Sequence, residues 1–288
     1  GVTEWTLSNG VKVVFKATSF QNDEVRFVSF SPGGTSLASD ADFVSADFAG
    51  AVVNEGGIGD LSLVELDHLL SGKVVSVDVS IDELEESVSG HASPEDLEEM
   101  FQLIYLRFTK PRLDKAAFET WRQRQMEWTK NRRAVPETGF FDDMQAFLYN
   151  KHPRRRPMTP QLLAEIDPDQ ALAIYRDRLA DASDFTFVFV GNIDTPRLRE
   201  LVSTYLGALP STRRTEIWRD IGLHLPKGNK DFTVESGREP KGLVYLVFHG
   251  PQKWSRDSAN DMRMLTEVLN IRLREVMRED MSGVYNVA

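Results

Sequence analysis

The sequence predicts an α+β protein in which helices pack on one face of a mainly antiparallel sheet. Two observations support this prediction. Runs of β-forming residues cluster near the start of the 288-residue chain, and a block of helices with apolar stripes follows them. One more β-rich run and a closing helix come after that block. Grouped strands and helices are typical of α+β proteins, whereas α/β proteins alternate the two elements.

The first predicted strands lie within residues 5–81. Residues 5–15 hold two β-rich runs joined by an Asn-Gly dipeptide, which tolerates the positive φ angles of a tight hairpin turn. A further strand is predicted over residues 24–31, just before two consecutive glycines. Residues 73–81 alternate valine or isoleucine with serine and aspartate, a pattern that predicts a strand with one buried and one wetter face.

Two helices carry clear start signals. Ser93 and Thr195 each precede a proline, so each is predicted to cap a helix whose first residue is that proline. Both helices present one apolar stripe at helical spacing, and we interpret both stripes as core packing. The stripe residues are Leu97, Met100, Phe101, Ile104, Tyr105 and Phe108 in the first helix, and Leu198, Leu201, Val202, Tyr205, Leu206 and Leu209 in the second.

Between these two helices the sequence predicts a long polar helix over 114–133 and further helices over 139–149 and 168–179. Residues 185–190 read FTFVFV, a nearly continuous run of β-formers. Such a run predicts a sheet strand that is shielded on both faces.

The residue pattern changes after Leu209, because residues 210–229 contain prolines and charged residues and show no sustained apolar periodicity. We therefore predict a complete domain over 1–209, a linker over 210–229 and the truncated start of a second, similar domain over 230–288. That start holds a predicted strand at 242–248 and a predicted helix at 255–278. We expect the exposed edge of this strand to pair with a strand of another chain, which predicts a homodimer of the fragment.

Composition excludes several classes of partner. The formal net charge of −10 argues against nucleic acid, whose affinity for proteins comes largely from lysine and arginine. No run of about 18 apolar residues exists, so no membrane-spanning segment is predicted. The basic cluster at 151–156 is interpreted as a solvated loop in preference to an anion site. Cysteine is absent, which rules out disulfides and thiolate ligands.

Four motifs carry a resemblance to a known family. They are LSNGVKVVF near the start, SPGG at 31–34, FTKPRLDKAAFE at 108–119 and VGNIDTPRLRELVSTYLGALP at 190–210. In this order they resemble the insulinase/pitrilysin family of zinc metallopeptidases. The resemblance implies two halves of two domains each, which close around a peptide chamber. It also implies a zinc motif, H-x-x-E-H with a glutamate downstream, in the active domain.

In this chain the two histidine positions of that motif fall at Asp47 and Ala51, and the position of the catalytic base falls at Gly50. The five histidines are scattered, and Glu127, in the region of the distant ligand, is interpreted as a solvated helix residue. The resemblance therefore identifies the chain with the non-catalytic half. It implies no catalytic residue and no cofactor here, with zinc in the partner half.

The resemblance assigns substrate binding to Arg278 and Tyr285, whose spacing of seven residues matches the family segment that reaches across the chamber. An arginine and a phenol there would hold the scissile carbonyl. The alternative is that Arg278 is a helix-terminal cation and Tyr285 a strand residue. Arg274 is a rival for the arginine role.

Two hypotheses follow. In the first, the chain is the non-catalytic half of a zinc endopeptidase, inactive alone, with the catalytic half and a peptide as partners and the periplasm as compartment. In the second, it is a structural or assembly subunit of the same fold, like the core proteins of respiratory complexes. An unrelated enzyme is disfavoured, because no serine or carboxylate pair has the sequence context that such chemistry needs.

Overall fold

Six strands form one sheet in the computed structural model, which describes residues 1–132, 134–237, 241–281 and 287. The order across the sheet is β1-β2-β6-β3-β5-β4, and every neighbouring pair is antiparallel except β2 with β6. The predicted fold class is therefore confirmed. The strands are β1 (Thr3–Thr6), β2 (Lys12–Ala17), β3 (Val25–Pro32), β4 (Val75–Ile81), β5 (Glu85–Ala92) and β6 (Thr186–Gly191).

Before residue 210, the helices over 97–109, 115–132, 136–148, 168–178 and 195–201 agree with the predicted blocks, whereas those over 63–69 and 160–164 were not predicted. In chain order the helices of this region are α1 (Phe43–Asp47), α2 (Ala49–Glu55), α3 (Leu63–Leu69), α4 (Leu97–Thr109), α5 (Lys115–Arg132), α6 (Pro136–Leu148), α7 (Pro160–Ala164), α8 (Pro168–Arg178) and α9 (Thr195–Leu201). A π-helical turn, Val202–Leu206, continues α9, and short 3-10 turns occupy Gly34–Leu37 and Pro153–Arg155.

Both predicted helix caps are displaced along the chain. Ser93 caps no helix, because its hydroxyl accepts the Asp96 N–H (3.1 Å) in a tight turn and α4 begins only after Asp96. The cap of α9 is Asp194, one residue before Thr195, and its carboxylate accepts the Arg197 N–H at 2.8 Å. A carboxylate satisfies a free N–H of the first turn as well as a hydroxyl does, so the proline still enters the helix early.

The apolar stripes of α4 and of α9 with its π-helical continuation belong to one buried core, as predicted. Phe101 of α4 stacks on Phe189 of β6 with ring centroids 5.3 Å apart, and Phe108 meets Phe185 edge-on at 5.0 Å. These four rings are buried. Burying each such side chain contributes roughly 1.5–3 kcal/mol, which makes the α4–β6 contact a main source of stability.

The strand β6 is covered on one face only, so the prediction of shielding on both faces is wrong. Phe187 and Phe189 are fully buried under the helices, whereas Val190 is 42% exposed on the opposite face. Val28 on β3 is exposed on that same face, at 41%. The run FTFVFV is apolar throughout because β6 lies in the centre of the sheet, not because a second helical layer covers it.

The chain divides into two compact units, Gly1–Glu239 and Pro240–Ala288. In the second unit, Ser255 caps α10 (Arg256–Leu273), and a π-helical turn, Arg274–Asp280, continues that helix. This confirms the predicted helix. The predicted strand at 242–248 is not formed, since a strand needs a hydrogen-bonded neighbour and the described residues supply none.

No described residue of the second unit is buried. The apolar side chains of α10, among them Met262, Leu265 and Leu269, are half exposed to solvent. None of the helices within the described ranges is long and apolar enough to cross a bilayer. The predicted domain boundaries at 209 and 229 stay predictions.

Candidate functional site

The helix that corresponds to the zinc motif of the active family domain is broken in this chain. α1 ends at Asp47 and α2 begins at Ala49, because Phe48 between them leaves helical geometry with φ −103° and ψ 6°. The Phe48 ring is buried against Trp121 of α5, with ring centroids 5.8 Å apart, and this packing holds the break in place. Asp47 and Ala51 therefore lie on two separate helices. Two ligands four residues apart meet one metal only when an unbroken turn puts them on the same face.

Gly50, at the position of the catalytic base, packs directly against the sheet. A Cβ atom added there would lie 2.6 Å from the carbonyl oxygen of Val79 on β4, closer than side chains approach backbone. Neither a glutamate nor a histidine fits this position without moving the helix off the strand. The close approach of helix and strand has taken the space that a water-activating side chain would need.

Asp47 is the one charged residue of the three. Neighbouring protein partly desolvates its carboxylate and raises the pKa, although the residue keeps an exposed surface and the nearby Arg155 opposes the rise. Across the described parts of the chain, no three histidine, aspartate or glutamate side chains are grouped so that they could hold a metal ion. The residues present do not fit the zinc of the active family domain.

Glu127, the isolated carboxylate downstream, lies on the exposed face of α5 and forms an ion pair with Lys130 of the same helix. Its side chain is 65% exposed. The interpretation of Glu127 as a solvated helix residue is confirmed.

The basic cluster at 151–156 is not a solvated loop, and here the prediction is wrong. Arg154 is buried, and its guanidinium donates to Asp40 Oδ1 (2.7 Å) and to the carbonyl oxygens of Thr35 (2.9 Å) and Ala38 (2.7 Å). Arg155 and Arg156 pair with Glu83 and Glu165. Carboxylates and carbonyls of the fold thus occupy the donors that an anion would use.

A buried carboxylate lies beneath the glycine pair of the SPGG motif. Glu86 on β5 is 1% exposed, and its Oε2 accepts the N–H of Gly34 at 2.7 Å. Burial raises the pKa of this carboxyl to about 7, while the Gly34 hydrogen bond and the nearby Arg178 oppose the rise and Asp184 adds to it. Glu86 is therefore a group that titrates near neutral pH inside the fold.

The residues that follow α9 are tied to the first unit along their length. We call residues 211–219 the strap. Asp181 is buried and anchors the start of the strap, since its carboxylate accepts the Thr212 hydroxyl and the Arg214 N–H, both at 2.6 Å, and the Ser183 N–H at 2.9 Å. Burial alone would raise the pKa of Asp181, but these hydrogen bonds outweigh it and hold the pKa well below its usual range.

Further contacts hold the middle and the end of the strap. Arg178 on α8 binds Glu216 through two hydrogen bonds of 3.0 and 3.2 Å. Arg219 donates its N–H to the Ser36 hydroxyl (2.9 Å) and its guanidinium to the Ala38 carbonyl (2.8 Å). Part of the predicted linker is therefore an ordered strap across the first unit.

The two predicted substrate-binding residues are not brought together by the described structure. Arg278 lies in the last turn of the π-helical segment, with its side chain exposed, and the rival Arg274 is exposed as well. Tyr285 lies outside the described residues. The assignment of Arg278 and Tyr285 stays a prediction.

Sequence reasoning missed Glu86, Arg178 and Asp181. The signal for Glu86 was its position two residues before Val88. Residues two apart in a strand lie on the same face, and Val88 is apolar and faces inward. That signal could be used only once residues 85–92 were recognised as a strand, and their composition, EESVSGHA, is poor in β-formers.

Comparison with known proteins gives the geometry a family context. Residues 165–288 match the model described as Peptidase M16 inactive domain. The probable zinc protease PqqL of Haemophilus influenzae is 25% identical over an alignment 289 residues long, which covers 99% of this chain and 30% of that protein. A PQQL-like zinc protease of Arabidopsis thaliana is 30% identical over 213 residues, 73% of this chain and 20% of its own length.

A solved structure shows the same fold. The periplasmic protease PqqL from Escherichia coli superposes with a TM-score of 0.82 at 22% identity, covering all of this chain and 32% of that one. The chain thus spans less than a third of the length of these relatives. The family model, the relatives and the fold agree: this chain belongs to the insulinase/pitrilysin (M16) family of zinc peptidases, and its residues 165–288 match the part described as the inactive domain.

Proposed function

We propose that this chain is part of the non-catalytic half of a zinc metalloendopeptidase and helps to form a closed chamber around a peptide. The observation that carries the proposal is the state of the segment that corresponds to the family zinc motif. There the helix breaks at Phe48, and Gly50 lies too close to the sheet to be replaced by a base. The family model that matches residues 165–288 describes an inactive domain, which supports the same role.

The chemistry of peptide hydrolysis explains why such a half needs a partner. Water attacks an amide at neutral pH only when a metal or a base has made it a nucleophile. In this proposal the zinc and its base come from a catalytic half of the same longer protein. The present chain contributes the chamber wall and the groups that position the peptide.

We propose Arg278 and Tyr285 as these positioning groups. A guanidinium and a phenol that meet the scissile carbonyl would stabilise the negative charge that develops on its oxygen in the transition state. Their effect would therefore appear in kcat more than in substrate binding. The exposed position of Arg278 at the end of its helix leaves its guanidinium accessible for this contact.

The test uses the full-length protein with both halves and an unstructured fluorogenic peptide. Arg278→Ala and Tyr285→Phe should each lower kcat by about tenfold or more, the effect of losing one positioned donor. Arg274→Ala removes the rival arginine, about one turn earlier in the same segment, and should leave kcat nearly unchanged if Arg278 is the arginine that holds the carbonyl. Wild-type kcat in both substituted proteins, with folding intact, would refute the assignment of these residues.

The same assay separates the peptidase from the assembly subunit. A folded full-length protein loaded with zinc that cleaves no unstructured peptide would favour an assembly role. Because the Escherichia coli relative is described as a periplasmic protease, we also propose the periplasm as the compartment. Cell fractionation with antibodies against this chain tests that proposal.

A further inference from the structure

Arg178 joins the strap to the body of the first unit. Its side chain is 7% exposed, and it lies at the C-terminal end of α8. The guanidinium contacts two carboxylates directly: Asp177 on its own helix, with Nε 3.2 Å from Oδ2, and Glu216 on the strap, with Nη1 3.0 Å from Oε2. Arg178 reaches the strap through Glu216, and a second contact between α8 and the strap joins Asp177 to Arg214 near the start of the strap.

A third carboxylate, Glu86, lies near the same guanidinium without forming an ion pair with it. A Cβ atom added to Gly33 would lie 3.0 Å from Arg178 Nη1 and 3.3 Å from Glu86 Oε2. Both groups therefore border the space that the missing side chain of Gly33 leaves open. Gly33 has φ +147°, a conformation in which other residues are strained, so this space is built into the backbone of the motif.

The charged groups around Glu86 come from several elements. Arg178 of α8 and Asp184, just before β6, act on the Glu86 carboxyl directly, and Asp177 and Asp181 are neighbours of these two residues. The strap adds Arg214 and Glu216, and the β4–β5 turn against Gly34 adds Asp82 and Glu83. Carboxylates outnumber cations here, so an additional negative charge on Glu86 has Arg178 as its nearest source of compensation.

We propose that Glu86 and Glu216 compete for Arg178, so that ionisation of Glu86 releases the end of the strap from the first unit. In the neutral form, Glu86 keeps its proton, accepts the Gly34 N–H and leaves Arg178 to Glu216. When Glu86 loses its proton to solvent, an unpaired buried anion is costly, and Arg178 turns toward it. Glu216 then retains one cation, Arg214, whose guanidinium Asp177 of α8 holds beside the start of the strap.

The release is confined to residues 216–219. The start of the strap is bound to Asp181 through the Thr212 hydroxyl and the Arg214 N–H, and neither bond involves Arg178. The end of the strap depends on Arg178 and on the Arg219 contacts to the Gly34–Leu37 turn, the same turn whose Gly34 binds Glu86. The raised pKa of about 7 for Glu86 puts the transition near neutral pH.

The absence of cysteine makes a direct test simple, since one introduced cysteine is the only thiol in the chain. Ile217 is 75% exposed and lies next to Glu216, so Ile217→Cys can carry a nitroxide label without disturbing the core. Electron paramagnetic resonance of the full 288-residue chain then reports the mobile fraction of the strap. Between about pH 6 and about pH 8 that fraction should rise at least about threefold, because the ionised fraction of Glu86 rises about tenfold.

Two substitutions are expected to fix the mobility of the label at opposite extremes. Glu86→Gln cannot ionise and should hold the label immobile at every pH, whereas Glu216→Gln should leave it mobile at every pH. A pH step that persists in Glu86→Gln, or a flat wild-type profile, would overturn the proposal. Should Glu86→Gln fail to fold, Asp184→Asn serves instead. This substitution removes a charge that raises the Glu86 pKa, so it must lower the pH midpoint of the label's mobility change. An unchanged midpoint would also overturn the proposal.

Two backbone amides provide an internal control by hydrogen exchange, after correction for the intrinsic pH dependence. The Arg219 N–H, which bonds Ser36, should lose protection as the pH rises. The Arg214 N–H, which bonds Asp181, should keep it. Equal loss at both amides would mean general loosening and would contradict a release limited to the end of the strap.

Discussion

Replacing Glu86 by glutamine should change how the stability of the first unit depends on pH. The folded protein raises the pKa of this carboxyl from 4.5 to about 7. A group with a raised folded pKa contributes stability that is present below its unfolded pKa and is lost as the pH rises through the folded value. Wild-type stability should therefore fall between about pH 4.5 and about pH 7, whereas Glu86→Gln lacks this decline.

The magnitude follows from the shift. A difference of about 2.5 pKa units corresponds to about 3 kcal/mol over the whole interval. The pI near 5.1 makes work below about pH 5.5 impractical. From about pH 5.5 to about pH 8, the wild type should lose about 2 kcal/mol relative to the variant. Glutamine can still accept the Gly34 N–H, so the comparison isolates the charge.

Urea unfolding followed by tryptophan fluorescence measures this difference at several pH values. Glu4→Gln, an exposed carboxylate on β1, is the matched control and should parallel the wild type. If the free energies of unfolding of wild type and Glu86→Gln run parallel over the whole range, Glu86 is charged in the folded protein near pH 6. The account of its burial would then be wrong.

Three further changes test the remaining structural claims. The combined substitutions Asp47→His, Gly50→Glu and Ala51→His should not create a zinc site, because the helix is broken and the strand blocks Gly50; zinc bound at one equivalent in equilibrium dialysis would contradict this. Asp181→Ala should lower the free energy of unfolding by about 2–4 kcal/mol, since three donors lose a charged acceptor, and should expose the strap to trypsin. Arg154→Lys should cost about 1–3 kcal/mol in urea unfolding, because an ammonium cannot reach Asp40 and both carbonyls at once; wild-type stability would refute that.

The sequence allowed much of the fold to be predicted, because the deciding signals were local. The alternation in residues 73–81 and the stripes of α4 and α9 are periodic patterns, and the core is built from them. The helix caps were displaced by one to three residues, since serine, threonine and aspartate compete for the same N–H groups. Strand β5 was missed because its pairing with β3 and β4, not its composition, makes it a strand.

The candidate site was less predictable, because its features depend on contacts between residues far apart in the chain. The absence of zinc ligands was readable from Asp47, Gly50 and Ala51, yet the break at Phe48 depends on the ring of Trp121. Arg154 looked like part of a solvated basic run because its acceptors lie more than a hundred residues earlier. A local sequence pattern cannot indicate a hydrogen-bond acceptor that lies so far away in the sequence.

The central place of β6 bears on how the chain acquires its structure. β2 and β3 are close in sequence, but they do not pair with each other, because residues 186–191 lie between them in the sheet. We therefore expect the hairpin β1-β2 and the block β3-β5-β4 to form as two separate pieces during synthesis, until that late segment emerges from the ribosome. Pulse-labelled amide exchange during refolding should show β2 and β6 gaining protection in one step, after β4 and β5. Until that step, the open edges of β2 and β3 are free to pair with other chains, and dilute conditions or a chaperone would favour the correct closure of the sheet.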